Sequence, residues 1–453
     1  MQERQRNIGK FAALAGICAA AFALCLVFLF GLLYLTSLIP ISAIRDNIHA
    51  SAVYMNEEEG DFYFRKENDS RTMIHDYADA VYLNIMYGID GEELATKIIA
   101  APLYSFGTRE SPETQNLLAR IEGDLPPNMV YDRYWHGMLI FLRPLMAVTD
   151  IAGARTCITV LLCALLLTLC VLLFLRGQRD LAVILLLCAA LIRFPMLGQC
   201  IEYSPTWLVG LGFAIAAVFM GKTSLRRIAV FFVVCGACTA VFDFLTTETV
   251  TVLLPLVVLL CVRSREGTVQ TFREGLRLCL LAGILWLLAY AAASVTKWIL
   301  AELVLGGGRI STAWHQALAR QSGETGDIPA ALQPVHAIAL NLWTLFAAGS
   351  SLRYMTILAM FAGSLILIAA IVYLFRKEWP DWALSLLFFL LAFVPLLRMA
   401  VMNNHSLRHA FFVHRALFST VLCLLLGTWR SIDFDLFRGG RGRKPAQKKG
   451  KKR

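Results

Sequence analysis

Charged residues are scarce in this chain. Asp, Glu, Lys and Arg make up 16% of its 453 residues, whereas hydrophobic residues make up 58%. Soluble globular domains carry about 25% charged residues. The composition therefore excludes an ordinary soluble domain and predicts an integral membrane protein.

Acidic residues are absent from the C-terminal end. Residues Arg438 to Arg453 hold nine Lys and Arg and no Asp or Glu, and they account for most of the net charge of +10. No nucleic-acid-reading domain accompanies this run, so we expect no nucleic-acid partner. Residues 430–453 are instead predicted to be a polybasic cytoplasmic tail that attracts anionic lipid headgroups.

Sequence spacings typical of zinc sites are also lacking. The 12 cysteines lie mostly inside apolar runs, where cysteine behaves as a small hydrophobic residue, and no zinc spacing is present. His405 and His409 have the i, i+4 spacing of a metal-binding helix, but no acidic third ligand is near them in sequence. We therefore predict no metal site and no cofactor, while a divalent metal stays open.

Long apolar runs predict an all-α, polytopic transmembrane helical bundle of about ten spans. Residues 1–10 form a cytoplasmic N-terminus and 11–40 the first span. The region 153–302 holds spans two to seven and 354–429 spans eight to ten. The predicted later spans are 153–175, 181–198, 205–221, 227–244, 249–262, 276–300, 354–375, 382–402 and 413–429.

The positive residues orient the spans. Short loops rich in Lys and Arg stay inside, and an inside N-terminus leaves only Arg408 in the short outer turns 198–204, 243–249 and 403–412. Both termini are then cytoplasmic. We expect a multi-pass protein of a bacterial plasma membrane whose polar site faces the extracytoplasmic side.

Two outer regions break the apolar pattern. The first, 41–152, holds seventeen acids against eight basic residues over 41–135. Its stretch 80–104 predicts amphipathic helices lying parallel to the membrane, and 105–130, with its prolines, predicts a loop. The second, 303–353, predicts a loop with Gly306-Gly307-Gly308, followed at 336–349 by a re-entrant or surface helix too short to cross.

Polar residues gather at the outer ends of the spans, where ionisable groups are costly and indicate function. The candidates fall within His75-Asp76-Tyr77-Ala78-Asp79, YDRYWHG, FLRP, the outer turns, and NNHSLRHAFFVHR. They are Asp76 and Asp79 as catalytic residues, and His136, Arg143, Glu202, Asp243, Glu248, His405, His409 and Arg415 as substrate-binding residues. Helix capping, an interfacial aromatic belt and a wetted turn are alternative explanations of these clusters.

This set contains carboxylates able to act as a general base, together with His and Arg donors able to hold a phosphate. A hydroxyl that attacks a lipid-phosphate-linked sugar needs both. The base takes the proton of the acceptor, and the cations stabilise the charge that develops on the departing phosphate.

The architecture resembles the GT-C glycosyltransferases, multispan enzymes that use polyprenyl-phosphate sugars. The resemblance lies in an inside N-terminus, one span, a long acidic first outer loop with membrane-parallel helices, and further spans with polar outer turns. The chain has neither an adjacent acidic pair near the first span nor a WWDYG-type signature. The resemblance implies Asp76 or Asp79 as the base, with Asp46 as a competitor.

The resemblance further implies donor-phosphate contacts from His136, Arg143, His405, His409 and Arg415. It also implies transfer of a sugar, as a hexosyl- or pentosyltransferase, from a polyprenyl-phosphate donor to a glycan, lipid or protein acceptor of the cell envelope.

Other functions stay open. One is a transporter or flippase, another is a polysaccharide polymerase, ligase or phosphotransferase acting on lipid-linked substrates, and a third is a non-catalytic membrane component. No internal repeat is visible, which disfavours carriers built by duplication. Arg193 and Arg398 are partial exceptions to the placement of polar residues at outer span ends, and both lie within several residues of an outer turn.

Overall fold

The computed structural model describes residues 2–57, 62–64, 70–107, 112–322, 328–378 and 382–437. Within these ranges the chain is predominantly α-helical, with four short strands. The predicted all-α class is confirmed at this level. The basic run 438–453 lies outside the described residues.

The N-terminal part consists of one long helix followed by a region of short elements. Strands β1 and β2 pair antiparallel, as do β3 and β4. The elements are α1 (Gln2–Ser37), α2 (Arg45–Glu57), β1 (Phe62–Phe64), β2 (Met73–His75), α3 (Asp76–Gly88), α4 (Leu94–Ala100), β3 (Pro102–Leu103), α5 (Glu113–Glu122), β4 (Met129–Val130) and α6 (Leu139–Met146).

Two expectations for this region need correction. Helix α3 is not a surface helix, because nine of its 13 residues are buried and apolar side chains occupy most of its faces. The predicted loop 105–130 contains α5, whose Leu117 and Ile121 are buried at helical spacing. Pro112 precedes this helix and Pro126 follows it, so neither proline interrupts it.

The middle of the chain contains six apolar helices. Asp150 caps the first by accepting a 2.9 Å hydrogen bond from the amide of Gly153, and Thr271 with Glu274 forms a capping box on the last. The helices are α7 (Ile151–Leu175), α8 (Arg179–Leu191), α9 (Pro205–Ala217), α10 (Leu225–Phe242), α11 (Thr249–Arg265) and α12 (Phe272–Leu305).

The C-terminal part begins with two helices in the region that was predicted to be a loop and a short re-entrant segment. α13 starts directly after the glycines 306–308. The helices are α13 (Arg309–Ser322), α14 (Gln333–Ala347), α15 (Tyr354–Phe375), α16 (Ser385–Ala392), α17 (Val394–Val401), α18 (Asn403–Arg408), α19 (Ala410–Val413) and α20 (Leu417–Ser431).

Seven helices of the described chain are long and apolar enough to cross a membrane, so the protein is a helical membrane protein. Six of them coincide with predicted spans: Ala12–Ser37, Ile151–Leu175, Leu225–Phe242, Phe272–Leu305, Tyr354–Phe375 and Ala410–Ser431. The seventh is Ala330–Ala347, which is longer than the sequence suggested because a 3₁₀ turn at Ala330–Leu332 extends α14.

The other four predicted spans are shorter helices. α8 and α9 have 13 residues each, α11 has 17, and the last is the apolar stretch Ser385–Val401. α11 runs through the centre of the bundle, since 15 of its residues are buried. α10 packs closely on α12, because a Cβ at Gly236 would lie 2.3 Å from the carbonyl oxygen of Trp286.

Candidate functional site

A cavity of about 360 Å³ brings together histidines from distant parts of the chain. Its lining includes His75 at the end of β2, His136 before α6, His405 on α18 and His409 after it. We call it the histidine cavity. Four of the residues predicted from sequence line it, namely His136, Glu202, His405 and His409.

Glu202 and His75 form a buried pair in this cavity. Oε2 of Glu202 lies 2.7 Å from Nδ1 of His75, and the two side chains are 13% and 7% exposed. An ionised carboxylate only accepts hydrogen bonds, so the N–H of His75 donates. The His75 ring is stacked on Tyr77 at 5.4 Å between ring centroids, which holds its orientation. Glu113 is a second carboxylate on the lining.

The segment before α6 holds His136 in a strained conformation. His136 has a φ of +55°, which is uncommon for a residue with a side chain. Trp135 anchors the segment by donating a 2.9 Å hydrogen bond to the backbone of α12. Gly137 donates to the carbonyl of Val241, where an added Cβ would lie 2.7 Å from that oxygen. Both neighbours therefore hold His136 against the cavity.

Arg133 of the same segment lies against aromatic rings. Its guanidinium carbon is 4.5 Å from the ring centroid of Tyr131 and 5.5 Å from that of Tyr134. Its Nε is buried and has no hydrogen-bond partner among the described residues. A cation stacked in this way keeps donors for an anion entering the cavity.

His405 links the cavity to Arg320 of α13. Nδ1 of His405 lies 3.1 Å from Nη1 of Arg320, and Nε2 lies 2.8 Å from the carbonyl oxygen of Leu245. A guanidinium can only donate, so Nδ1 accepts and Nε2 carries the proton of a neutral ring. The His409 ring lies 4.6 Å from that of His405, and its buried Nδ1 has no hydrogen-bond partner in the described ranges.

The turn between α10 and α11 positions the Leu245 carbonyl that binds His405. Asp243 accepts hydrogen bonds from the amides of Leu245 and Thr246 at 2.8 and 3.0 Å, and Leu245 has a φ of +66°. Arg398 donates to the Leu245 carbonyl at 2.7 Å. It also binds both oxygens of Glu248, at 2.6 and 3.2 Å. Glu248 is thus committed to an internal ion pair and does not line the histidine cavity.

Burial favours the neutral form of three histidines of the site, His136, His405 and His409. Burial lowers the pKa of His136 to about 3 and that of His409 to about 4, and it lowers the pKa of His405 well below the usual value. Glu202 acts in the opposite direction on His409. Burial, followed by the charge of Glu248, raises the pKa of Asp243 to about 7.

A second cavity of about 420 Å³ adjoins the first. Its walls come mainly from α12 and α13 and are largely aromatic and aliphatic, including Tyr290, Trp298 and Trp314. Arg133, Tyr134 and Arg320 line both cavities. We call it the apolar cavity, and Asp243 is the predicted site residue on its lining. Two cations therefore lie where the histidine cavity meets the apolar cavity.

The predicted catalytic acids lie apart from both cavities. Asp76 and Asp79 are fully buried, and each binds the guanidinium of Arg155, which is 3% exposed. The Arg155–Asp79 contact measures 2.9 Å. Asp79 also accepts a 2.8 Å hydrogen bond from the amide of Ile201, next to Glu202. This geometry favours a positioning role for both acids, and Asp46 is exposed on α2.

Two predicted phosphate-binding arginines also lie outside the cavities. Arg143 donates to the carbonyls of Ile39, Met86 and Ile89, so it ties α1 to the end of α3. Arg415 donates to two backbone carbonyls, and its guanidinium lies 4.3 Å from the ring centroid of Tyr203. Their donors serve the fold, because buried arginines need acceptors.

In the described part of the chain, no three His, Cys, Asp or Glu side chains are grouped closely enough to hold a metal ion. His405 and His409 are adjacent, but His405 already uses both ring nitrogens on Arg320 and Leu245.

Sequence reasoning missed four residues of this arrangement: His75, Arg133, Arg155 and Arg320. Arg155 carried a usable signal, because a lone arginine inside an apolar span requires a carboxylate partner. Arg133 lies inside YDRYWHG. Arg320 lies in a segment predicted to be a loop, although Ile310, Trp314 and Leu318 have the spacing of a helix face.

Comparisons with protein-family models, with characterised proteins and with solved structures found no match to this chain. Function therefore has to be argued from the two cavities.

Proposed function

We propose that the protein is a membrane glycosyltransferase that transfers a sugar from a polyprenyl-phosphate donor to a hydroxyl acceptor. The observation that carries this proposal is the junction of the histidine cavity and the apolar cavity at Arg133 and Arg320. A lipid-phosphate sugar has three parts: an apolar chain, an anionic phosphate and a polar sugar. The two cavities and the cations between them match these parts in order.

In this proposal the apolar cavity holds the start of the polyprenyl chain. The phosphate lies between Arg133 and Arg320, whose guanidinium groups can each donate paired hydrogen bonds to its oxygens. The sugar occupies the histidine cavity beside Glu202. The neutral rings of His136 and His409 suit a sugar, because the Nδ1 of each has no hydrogen-bond partner among the described residues and can bind a hydroxyl without the cost of a buried charge.

Glu202 is the proposed general base. Its carboxylate faces the cavity and is oriented by the hydrogen bond from His75. The acceptor hydroxyl gives its proton to Glu202 as its oxygen bonds to the anomeric carbon of the sugar. The bond from that carbon to the phosphate oxygen breaks, and the lipid phosphate leaves with the electron pair. Arg133 and Arg320 stabilise the added charge on the phosphate.

Asp76 and Asp79 support this site in the proposal. Asp79 binds the amide of Ile201 and so positions Glu202, while Arg155 compensates the charge of the two acids. The base expected from the family resemblance is thereby replaced by Glu202. Ten spans, a GT-C fold and an extracytoplasmic site belong to the same proposal.

The test is turnover by the purified full-length protein with a panel of polyprenyl-phosphate sugars. Replacing Glu202 by Gln should lower kcat by about 100-fold or more, in the range of general-base catalysis. Glu122→Gln is the matched control, since that carboxylate is 59% exposed on α5. Turnover by the parent that E202Q retains would exclude Glu202 as the base. A folded parent that neither binds nor turns over any donor would contradict the proposed function.

A further inference from the structure

A third cavity lies at the opposite end of the bundle. It measures about 340 Å³ and is lined by the start of α8 and the ends of α11 and α20. The histidine cavity lies beside the turn that precedes α11, a helix of 17 residues, because Phe244 of that turn lines it. At 1.5 Å per residue the two cavities are separated by about 25 Å along this helix. We call the third one the basic cavity.

The basic cavity holds three cations and one carboxylate. Asp180 is the acid on its lining, and Arg265, Lys377 and Arg430 are the cations. Arg430 takes both oxygens of Asp180, at 2.8 and 3.2 Å, and donates to Oε1 of Gln178 at 2.6 Å. The lining therefore provides no carboxylate for Arg265 and Lys377, and the cavity carries an excess of positive charge.

The backbone is shaped to place these cations. Gly177 has a φ of +69°, and an added Cβ would lie 2.2 Å from Nη1 of Arg265. The positive φ favours glycine at this position, and the guanidinium of Arg265 packs directly on it. The amide of Lys377 donates a 2.9 Å hydrogen bond to the carbonyl of Ser431, which ties that lysine to the end of α20.

The remaining walls of the cavity are of two kinds. Ser264 and Ser385 supply hydroxyls, whereas Leu384, Leu387 and Phe388 supply an apolar side. Hydroxyls and cations together suit the oxygens of a phosphate. The apolar side lies on and beside the short apolar helix α16.

We propose that the basic cavity binds a phosphate group, carried either by an anionic phospholipid headgroup or by a soluble phosphate compound. Arg265 and Lys377 are the direct ligands. The Arg430–Asp180 pair forms the wall behind them. The site is independent of sugar transfer, because it lies at the other end of α11.

The experiment titrates the full-length protein in detergent with phosphatidylglycerol and counts the bound lipid by native mass spectrometry. R265Q/K377Q should weaken binding about 30-fold, or about 2 kcal/mol at roughly 1.4 kcal/mol per factor of ten. R226Q/R227Q is the matched control, because it removes the same charge from exposed positions at the start of α10. It should change the Kd less than about 3-fold.

A separate titration with inorganic phosphate distinguishes the sources. Displacement of the lipid by phosphate at millimolar concentration would identify a soluble phosphate compound, and lipid binding that phosphate does not displace would identify the headgroup. If R265Q/K377Q unfolds, K377Q alone should still weaken binding about 5-fold. The proposal is overturned if neither probe binds the parent, or if the cavity variant and the control weaken binding equally.

Discussion

Replacing Arg155 by Met is the most severe single change that the structure predicts. Arg155 is 3% exposed and both of its carboxylate partners are 0% exposed. Removing one member of a buried ion pair leaves an uncompensated charge and costs about 3–5 kcal/mol. Here two carboxylates lose their partner together, so we expect the upper end of that range.

The assay measures unfolding of the purified protein in detergent as denaturant is added, and tryptophan fluorescence reports the unfolded fraction. R226M is the control, because Arg226 is exposed and the change should stay within about 0.5 kcal/mol. Adding Asp76→Asn and Asp79→Asn to R155M should recover most of the loss, because the neutral amides no longer need a cation. If R155M is as stable as R226M, Arg155 does not compensate the buried charges of Asp76 and Asp79.

The remaining predictions concern pH and the two cavities. Because His136 and His409 stay neutral when folded but take up protons when unfolded below pH 6.5, stability should rise with pH between about 4 and 6.5. Asp243 opposes this trend, since its folded pKa of about 7 keeps a proton that the unfolded chain releases. In unfolding measured across pH, H409N should therefore flatten the slope and D243N should steepen it; unchanged slopes would refute the assignment. Filling the apolar cavity with Ala291→Trp should raise KM for long-chain donors more than for a short-chain analogue, and equal effects would argue against a lipid in that cavity. Arg320→Gln should weaken donor binding by about 10-fold or more while leaving the folded yield unchanged, and an unchanged donor Kd would exclude it from the phosphate site.

Hydropathy located the long apolar helices but missed α5 and α13. The spans 153–175 and 354–375 agree with α7 and α15, because each is one uninterrupted apolar run. α5 was missed since prolines suggested a loop, although they lie just outside the helix. α14 was predicted to be too short to cross a membrane, because hydropathy does not reveal the 3₁₀ turn that lengthens it at its start.

The sequence indicated some of the residues that share a cavity. Glu202, His405 and His409 come from two turns that the predicted topology places on one face, and all three line the histidine cavity. Their role in substrate binding stays a prediction. The sequence analysis did not identify Arg155 as the partner of Asp76 and Asp79. Arg155 is 79 residues away from Asp76 in sequence, and only the packing of α3 on its neighbours decides that the acids face it and not the cavity.

In the proposed function, one lipid phosphate bridges the two adjoining cavities. A cryo-EM structure of the full-length protein with a bound polyprenyl phosphate would show this arrangement. We expect phosphate density between Arg133 and Arg320, with the chain entering the apolar cavity beside Trp314. Density for the lipid elsewhere on the protein, with both cavities empty at saturating ligand, would contradict it.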